Sequence, residues 1–449
     1  MAGERLMLPS GEAGAQPTGA NVGLRLEAIL AQPIDCQYKS FPVTDQPVQI
    51  GAAGRQGWNA LQPPFSTPVM VLKDRALQHN IDLMAEYCSA HAVSLAPHTK
   101  TPIAPQIADR QQAAGAWALT VADVHQARVL RSVGAQRLFL ANEVVDAAAA
   151  SWIARELDQD PSLEIYCLVD SERGASLLDG HLTSAGFRGR LPVLIELGIP
   201  GARCGCRSVA DAIDLARTVA RLERLRIAGA EAYENLFPPG TAEQTIGRVD
   251  QLLGGLRELV TRLDTEGLLQ GAHEVLVSAG GSMWFDRVAA KLAGPWALSQ
   301  PVRTLIRAGS YVTHDAVEYE KFSPLAGRSG GSPKLEQALE LWAAILSRPE
   351  PELAILNFGK RDAAHDRGFP VPFAAQTENG PASLPPEKYE VLSLNDQHAR
   401  MRLPADSPLA VGDLVGSYIS HPCTSFDNWR LIPLVTDQYD VIGAVRSYL

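Results

Sequence analysis

A lysine ends a short apolar run in Ser94-Leu-Ala-Pro-His-Thr-Lys-Thr101, where it stands between two threonines. An isolated lysine is ordinarily a solvated surface residue. A lysine held among apolar and hydroxyl groups loses its proton more easily, and its neutral amine can form a Schiff base with a carbonyl group. His98 precedes Lys100 by two residues, so both side chains share one side of an extended strand. His98 therefore either lines the site of Lys100 or packs against a neighbouring strand.

Two segments of small residues further along the chain could hold an anion. They read Ser278-Ala-Gly-Gly-Ser282 and Ala308-Gly-Ser-Tyr311. Small residues let backbone N–H groups approach a phosphate closely, although each segment alone could be an ordinary turn. A phosphate site combined with an imine-forming lysine indicates pyridoxal phosphate. The residues predicted to bind the cofactor here are Gly280, Gly281, Ser282, Gly309, Ser310 and Tyr311.

Two further side chains follow strand-like runs. Arg203 lies in GIPGARCGCRS and Tyr233 in AEAYENLF. A guanidinium or a phenol at either place could face the cofactor ring, or it could cap a loop. The neighbouring Cys204 and Cys206 predict two reduced thiols, because no second cysteine pair lies nearby.

A second group of candidate residues lies near the end of the chain, in ISHPCTSFDNW. His421 and Cys423 are two residues apart, and imidazole and thiolate are both ligands of Zn²⁺. Two protein ligands are too few for a structural zinc site, and a core histidine beside a buried thiol is the simpler alternative. A catalytic ion that also binds water and substrate would fit, with His398 as a third ligand or a proton-transfer group.

Eight strand-like runs, separated by segments with helical spacing, position the first group of residues. Runs that are apolar on both faces and alternate with helices predict a parallel sheet, and eight of them predict a (β/α)₈ barrel of the TIM type. A doubly wound open sheet is the alternative, but no G-x-G-x-x-G follows the first run. Because catalytic groups of such barrels lie at the C-terminal ends of the strands, Lys100 is expected at the mouth. The runs are SLAPHTK, ALTVAD, RLFLANE, EIYCLVDS, LPVLIELG, LRIAGAEAY, EVLVSAGGS and TLIRAGSY.

The sequence changes character after Phe322, where short strand-like runs predict a C-terminal, mainly-β domain. Within it, LEQALELWAAILSR predicts one amphipathic helix. The predicted organisation is an N-terminal extension over 1–65 that is partly disordered in its first twenty residues, a barrel over 66–322 and the β-domain over 323–449. The strand near 67–73 is free to join the C-terminal sheet.

Composition excludes several functions. The formal net charge is −10, which argues against a nucleic-acid partner or an anionic membrane surface. The longest apolar stretches are too short to span a bilayer, and the N-terminus lacks a signal-peptide core. Six scattered cysteines in a chain of 449 residues indicate a reducing, cytoplasmic location.

Several of these segments together resemble the D-serine dehydratase and D-threonine aldolase family, whose members are pyridoxal-phosphate enzymes with an alanine racemase-like fold. The resemblance covers roughly residues 60–449 and rests on SLAPHTKT with the segment after it, IRAGSYVTHDAVEYEKF, AILNFGKRDAAHDRGFP and ISHPCTSFDNWRLIPLV. It implies that Lys100 carries the cofactor as a Schiff base and that Tyr233 lies near the pyridine nitrogen. It also implies that His421 and Cys423 bind a divalent metal, with zinc expected.

The resemblance further implies the reaction. Family members with aldolase activity tend to carry aspartate at the second metal position, so Cys423 favours a dehydratase that converts a D-β-hydroxy amino acid to a 2-oxo acid and ammonia. The alternatives are retro-aldol cleavage to glycine and an aldehyde, and a pyridoxal-phosphate-binding protein without catalysis. Thr99, where glycine is expected, and GIPGARCGCR, where an acidic residue is often expected, depart from the family pattern. A homodimer is expected by analogy.

Overall fold

The structure is a computed structural model that describes residues 23–237, 241–328, 331 and 333–449. The predicted disorder of the first twenty residues concerns a segment outside this range. The described part of the N-terminal extension contains the following elements: helix α1 (Glu27–Leu30), strands β1 (Pro33–Ile34) and β2 (Val48–Gln49), and a 3₁₀ helix (Ile50–Arg55). Its apolar side chains, among them Phe41, Ile50 and Trp58, pack against Trp342 and Val435 of the C-terminal sheet. The extension thus covers one face of that sheet.

The chain then forms strand β3 (Val69–Lys73) and helix α2 (Asp74–Ala90), which lead into a parallel barrel. The barrel strands in the described residues are β4 (Ser94–Leu95), β5 (Leu119–Val121), β6 (Arg137–Glu143), β7 (Glu164–Val169), β8 (Leu191–Leu197), β9 (Leu225–Ala232), β10 (Val275–Ala279) and β11 (Val302–Ile306). The helices around them are α3 (Pro105–Ala113), α4 (Val124–Ser132), α5 (Ala147–Gln159), α6 (Glu172–Ser184), α7 (Val209–Val219), α8 (Ala242–Thr265) and α9 (Phe285–Leu292). The predicted barrel is confirmed.

Neighbouring barrel strands pair in the order β4-β11-β10-β9-β8-β7-β6-β5. The circle closes between the first and second strands, where Thr120 N donates to Pro97 O at 3.0 Å and Thr99 N donates to Thr120 O at 2.8 Å. Inside, Phe139, Leu194 and Leu305 belong to a buried apolar layer. Lys100 therefore follows directly on a segment that both neighbouring strands hold in place.

After the short helix α10 (Glu318–Phe322), the chain forms the predicted mainly-β domain. Its elements are β12 (Leu339–Glu350), β13 (Leu353–Leu356), β14 (Val371–Thr377), β15 (Gly380–Ser383), β16 (Glu390–Leu394), β17 (Ala399–Arg402), β18 (Leu414–Tyr418), α11 (Pro422–Phe426), β19 (Leu431–Val435) and β20 (Val441–Arg446). The strand order is β15-β14-β18-β12-β13-β17-β16, and β3 joins this sheet by pairing with β12 and β19. One strand from before the barrel is thus built into the domain that follows it.

The predicted amphipathic helix over LEQALELWAAILSR is wrong, because this segment contains most of the central strand β12. Its residues from Leu339 to Ala343 are all buried, and the strand pairs with β3 on one side and β18 on the other. Strand pairing on both sides outweighs the helical propensity of the Ala, Leu and Glu residues. Among the described residues, no helix combines the length and the apolar character that a bilayer span requires.

Candidate active site

Lys100 lies in a turn just beyond β4, at the C-terminal mouth of the barrel. It lines a cavity together with His98, Arg203 and Tyr233. Burial lowers the pKa of the Lys100 amine, Cys423 opposes this effect, and Arg203 is the next charge that lowers it. The site therefore favours the neutral, nucleophilic form of the lysine more than water does.

The same cavity contains an ion pair that sequence reasoning missed. Arg307, at the end of β11, donates to Glu231 on β9, and their side chains are 5% and 1% exposed. The alternation of side chains along the two strands could have placed both inside the barrel. Four buried atoms of the lining lack a hydrogen-bond partner: His98 Nδ1, Glu143 Oε1, Glu231 Oε2 and Arg307 Nε. Such atoms call for a polar ligand, because buried polar groups are normally hydrogen-bonded.

The first glycine loop differs from the expectation that its N–H groups bind phosphate. Gly280 N donates to Glu234 Oε2 at 2.9 Å, and Gly281 N donates to Glu234 Oε1 at 2.6 Å. Glu234 is fully buried, and burial raises its pKa although these bonds oppose the rise. The Glu234 carboxyl thus occupies both predicted donors. Gly280 still lines the cavity, and Ser282 is buried beside this loop.

The second loop approaches Lys100 from the other side. A Cβ atom at Gly309 would lie 2.4 Å from the carbonyl oxygen of His98, so this position requires glycine. Ser310 Oγ lies 3.5 Å from Thr101 Oγ1. The side chain of Tyr311 points elsewhere, because its hydroxyl accepts a hydrogen bond from Gln111 Nε2 at 2.9 Å under the barrel wall. Of the three predicted residues, the structure therefore places two at the mouth: Gly309 through its close backbone contact and Ser310 through its hydroxyl group.

Arg203 and Tyr233 contact each other in the lining of the cavity. The Arg203 guanidinium carbon lies 4.9 Å from the centroid of the Tyr233 ring. Burial raises the pKa of the Tyr233 phenol, which therefore stays protonated at neutral pH. The pair presents a delocalised cation and a neutral phenol to whatever occupies the cavity.

The predicted metal pair also lies at the mouth. Cys423 Sγ is 3.3 Å from Thr101 Oγ1 and 3.8 Å from Ser310 Oγ, which places the thiol beside the residue that follows Lys100. Burial raises the pKa of Cys423, but bonds from His421 and Thr101 outweigh it and lower the pKa below its ordinary value. A thiol that ionises easily is suited to bind a metal ion.

His421 is oriented from behind by a carboxylate. Its Nδ1 lies 2.7 Å from Asp366 Oδ2, and the imidazole also hydrogen-bonds the Cys423 side chain. Burial lowers the pKa of His421, yet Cys423 and Asp366 together raise it above its ordinary value. His398 is exposed in the turn between β16 and β17, where its carbonyl oxygen accepts from Asn395 N. The structure therefore groups His421 with Cys423 and Asp366, and His398 is not part of this group.

A different group of side chains has metal-ligand spacing. Among the described residues, Glu143, Glu196 and Cys204 are the only set of three or more His, Cys, Asp or Glu side chains with ligand atoms within 4.8 Å of one another. Burial and the charge of Glu231 raise the pKa of Glu196 to about 10, and Glu196 hydrogen-bonds Glu143. A shared proton thus accounts for their proximity. Cys204 and Cys206 are both free thiols.

A larger cavity, of 1230 Å³, opens at the opposite end of the barrel. It is lined by the starts of several strands and by the ion pairs Arg137–Glu164 and Arg303–Glu274. Active sites of these barrels lie at the C-terminal end, where Lys100 and the metal pair are. The smaller cavity around Lys100 is therefore the candidate active site.

Pyridoxal phosphate fits the residues of this cavity. They offer an amine of lowered pKa, unpartnered buried donors and acceptors, and two arginines for an anionic ligand. Glu234 already accepts the two backbone N–H groups of Gly280 and Gly281 that were expected to bind the phosphate. Ser310 and the arginines would therefore supply more of the contacts to the phosphate.

Two known domain families match this chain. Residues 73–287 match the alanine racemase N-terminal domain, and residues 338–435 match a serine dehydratase domain. The resemblance to the D-serine dehydratase and D-threonine aldolase family is confirmed by this pair of domains. The predicted alanine racemase-like fold is confirmed with it.

Three relatives illustrate the range of the family. D-threonine aldolase of Arthrobacter sp. is 25% identical over 354 residues, which cover 77% of this chain and 84% of that protein. The crystal structure of D-threonine aldolase from Filomicrobium marinum is 23% identical, with a TM-score of 0.70 over 85% of this chain and 95% of that one. D-threo-3-hydroxyaspartate dehydratase from Delftia sp. HT23 is 21% identical, with a TM-score of 0.64 over 85% and 98%. The lyase class predicted from the sequence is the class of these relatives.

Solved variants of a D-threo-3-hydroxyaspartate dehydratase carry alanine in place of a histidine or of a cysteine two positions later. The cysteine variant was solved in a metal-free form. His421 and Cys423 have the same spacing.

Proposed function

We propose that this protein is a pyridoxal-phosphate-dependent lyase that dehydrates and deaminates D-β-hydroxy amino acids of the D-serine or D-threonine type. The products would be a 2-oxo acid and ammonia. One observation carries the proposal: the thiol of the H-x-C pair lies 3.3 Å from Thr101, the residue next to Lys100. The proposed cofactor lysine and the proposed metal pair would therefore serve one site.

The residues around Lys100 would hold the cofactor. Bound through Lys100, pyridoxal phosphate supplies an electron-withdrawing ring that accepts the charge left at Cα when a substrate loses its α-proton. Tyr233 remains a phenol, and Arg203 lies over its ring. Arg307 is fixed by Glu231, so it presents an oriented positive charge to this end of the cavity.

Lys100 is also the proposed proton acceptor. Its amine is partly buried and its pKa is lowered, so a free amine is available at neutral pH more often than for a surface lysine. A general base works best when its pKa lies near the working pH. His98 is held neutral, since burial and the charge of Lys100 keep its pKa well below the ordinary value. His98 therefore adds no competing charge beside the amine.

The side chains of His421 and Cys423 would hold a divalent ion, for which zinc is proposed. Such an ion supplies a Lewis acid that stabilises a departing hydroxide. Asp366 fixes the imidazole and Thr101 bonds the thiol, so both ligands are oriented before an ion binds. The histidine and cysteine variants of the related dehydratase, one of them metal-free, support this assignment.

The choice between dehydration and retro-aldol cleavage depends on this pair. Cys423 follows His421 at the same spacing as the histidine and cysteine that were substituted in the related dehydratase, which favours dehydration. The curated relatives at 24% and 25% identity are aldolases, which keeps cleavage to glycine and an aldehyde as the second candidate.

Product analysis tests the proposal. Metal-loaded holoenzyme is incubated with D-serine, D-threonine and 3-hydroxy-D-aspartate, and ammonia, 2-oxo acid, glycine and aldehyde are measured. Ammonia and oxo acid in equal amounts support dehydration, whereas glycine and aldehyde establish the aldolase. Absence of turnover on all three would leave a pyridoxal-phosphate-binding protein without catalysis. The variant Lys100→Ala should lose both turnover and the cofactor absorbance at about 420 nm.

We also propose a homodimer, in line with the family resemblance. Sedimentation velocity at micromolar concentration would show it directly. A species with the mass of a single 48.3 kDa chain would contradict it.

A further inference from the structure

An exposed arginine of the C-terminal domain lies beside the active site. The segment that carries it is held at three points: Ser420 Oγ donates to Gly368 O at 2.8 Å, His421 Nδ1 lies 2.7 Å from Asp366 Oδ2, and Thr424 Oγ1 donates to Asp366 Oδ1 at 2.9 Å. Arg367 stands between the two residues of this segment that are tied to Ser420 and His421. Its backbone is therefore fixed next to the proposed metal ligand.

The side chain of Arg367 reaches from this segment to the barrel side of the mouth. Its Nη1 donates to Glu318, the first residue of α10. The next residue of that helix, Tyr319, is buried, and its hydroxyl bonds Ser310. Arg367 thus spans the gap between the His421 side of the site and the loop that contacts Thr101 and Cys423.

Arg367 also differs from the other two arginines near Lys100. Arg203 and Arg307 line the cofactor cavity, whereas Arg367 lies outside its lining on the side of the metal pair. The charge of Arg367 is nevertheless among those that lower the pKa of Lys100. Its side chain is 40% exposed, and with one N–H group given to Glu318 the remaining donors of the guanidinium are open to a ligand.

We propose that Arg367 binds the α-carboxylate of the amino-acid substrate. The inference rests on the proposed function. A substrate whose amino group replaces Lys100 and whose β-oxygen faces His421 and Cys423 must direct its carboxylate along the third bond of Cα. Arg367 is the guanidinium on that side, and a guanidinium matches a carboxylate with two parallel hydrogen bonds.

Removing the guanidinium should weaken substrate binding without unfolding the protein, because the side chain is at the surface. Charge-assisted hydrogen bonds of this kind correspond to a loss of about 10- to 100-fold in affinity. Arg367→Gln should show this loss, and Arg367→Lys, which keeps the charge but not the fork, should fall between. Glu318→Gln is the matched control, because it removes the ion-pair partner of Arg367 and leaves the guanidinium in place.

The test is a binding titration that does not require β-elimination. Holoenzymes of the wild type and the three variants are titrated with D-alanine and with D-alaninamide, which carries a neutral amide in place of the carboxylate, and the shift of the cofactor absorbance is followed. The wild type and Glu318→Gln should prefer D-alanine, while Arg367→Gln should bind both ligands with equal, weak affinity. Equal affinity of the wild type for the two ligands would overturn the inference, and so would a preference for D-alanine that remains in Arg367→Gln.

The titration separates this inference from the proposed function. Product analysis that shows an aldolase would revise the reaction but leave the preference for D-alanine intact. A wild type without any cofactor band would instead overturn the proposed function, and the inference with it.

Discussion

The buried pair Arg307–Glu231 gives the sharpest test of how the cavity is built. In the variant Arg307→Met, Glu231 loses its cation while its Oε2 already has no hydrogen-bond partner. The Glu231 side chain is 1% exposed, so water cannot replace the guanidinium. Removing one partner of a buried pair typically destabilises a protein by about 3–5 kcal/mol, and methionine of similar length leaves little cavity to add to this.

The loss of stability should depend on pH, because protonation neutralises the Glu231 carboxylate and removes the unpaired buried charge. Burial raises the pKa of Glu231 to about 7 even with Arg307 present. Without Arg307 the folded carboxyl stays protonated above that pH, whereas the unfolded carboxyl is ionised near neutrality. The native state then binds the extra proton, so the free energy of unfolding falls by about 1.4 kcal/mol for each unit that the pH rises.

Urea unfolding of the apoprotein at pH 6 and pH 8 measures both effects. The double variant Glu231→Gln with Arg307→Met is the control, since it contains no carboxyl to protonate and should be more stable at pH 8 than Arg307→Met alone. A single variant within about 1 kcal/mol of the wild type at pH 8, or a double variant no more stable than the single one, would refute the reasoning.

Three further predictions concern the mouth of the barrel. Gly309→Ala places a Cβ atom 2.4 Å from the carbonyl oxygen of His98, so the backbone on either side must move apart. We expect the free energy of unfolding in urea to fall by about 1–3 kcal/mol and cofactor binding to weaken. Unchanged values for both would contradict the contact. Because the pKa of Lys100 is lowered, binding of pyridoxal phosphate to the apoprotein should have a pH midpoint below that of a free lysine amine. Cofactor absorbance measured across a pH series gives this midpoint. A midpoint at or above that of the free amine would be evidence against the lowered pKa. Asp366→Asn removes the anion behind His421, so equilibrium dialysis should show Zn²⁺ affinity reduced by about 10- to 100-fold, and an unchanged affinity would remove Asp366 from the site.

The barrel could be read from the sequence because its signals are local. Each strand is a short apolar run, and the helix that follows often begins at a capping side chain. Asp123, Asp146, Ser171 and Ser208 each accept a hydrogen bond from a backbone N–H of the first turn of their helix. The rule that active residues follow the strands then places Lys100 at the mouth without any knowledge of contacts.

The C-terminal sheet was harder to predict because its pairings are distant in sequence. Strand β12 has the composition of a helix, and its buried character on both faces becomes visible only when β3 and β18 lie beside it. The hairpin β14–β15 was missed because Pro370 and Pro372 argue against a strand. Asn379-Gly380, with Gly380 at a φ of +103°, is a hairpin turn signal that could have found it.

The glycine loop at 280–281 shows a different limit of sequence reasoning. Free N–H groups on a small-residue loop predict anion binding, and an anionic group is bound there, but it is the side chain of Glu234. Nothing in AEAYENLF shows that the glutamate after Tyr233 folds back across the end of the strand. The expected ligand was the phosphate of the cofactor, whereas both N–H groups bind a carboxylate of the same chain, and this pairing becomes visible only in the fold.

The two halves of the candidate site are joined through one strand of the sheet. Strand β3 pairs with β12 and leads through α2 to the segment that ends at Lys100. Strand β12 pairs on its other side with β18, which leads directly to His421 and Cys423. The Lys100 amine and the Cys423 thiol are therefore reached from two strands, β3 and β18, that flank β12 in one sheet. The two residues are more than 300 positions apart in sequence. The sheet therefore sets the spacing between the proposed cofactor lysine and the proposed metal pair. A change in the β3–β12 register should alter that spacing, and with it catalysis, before it alters the barrel.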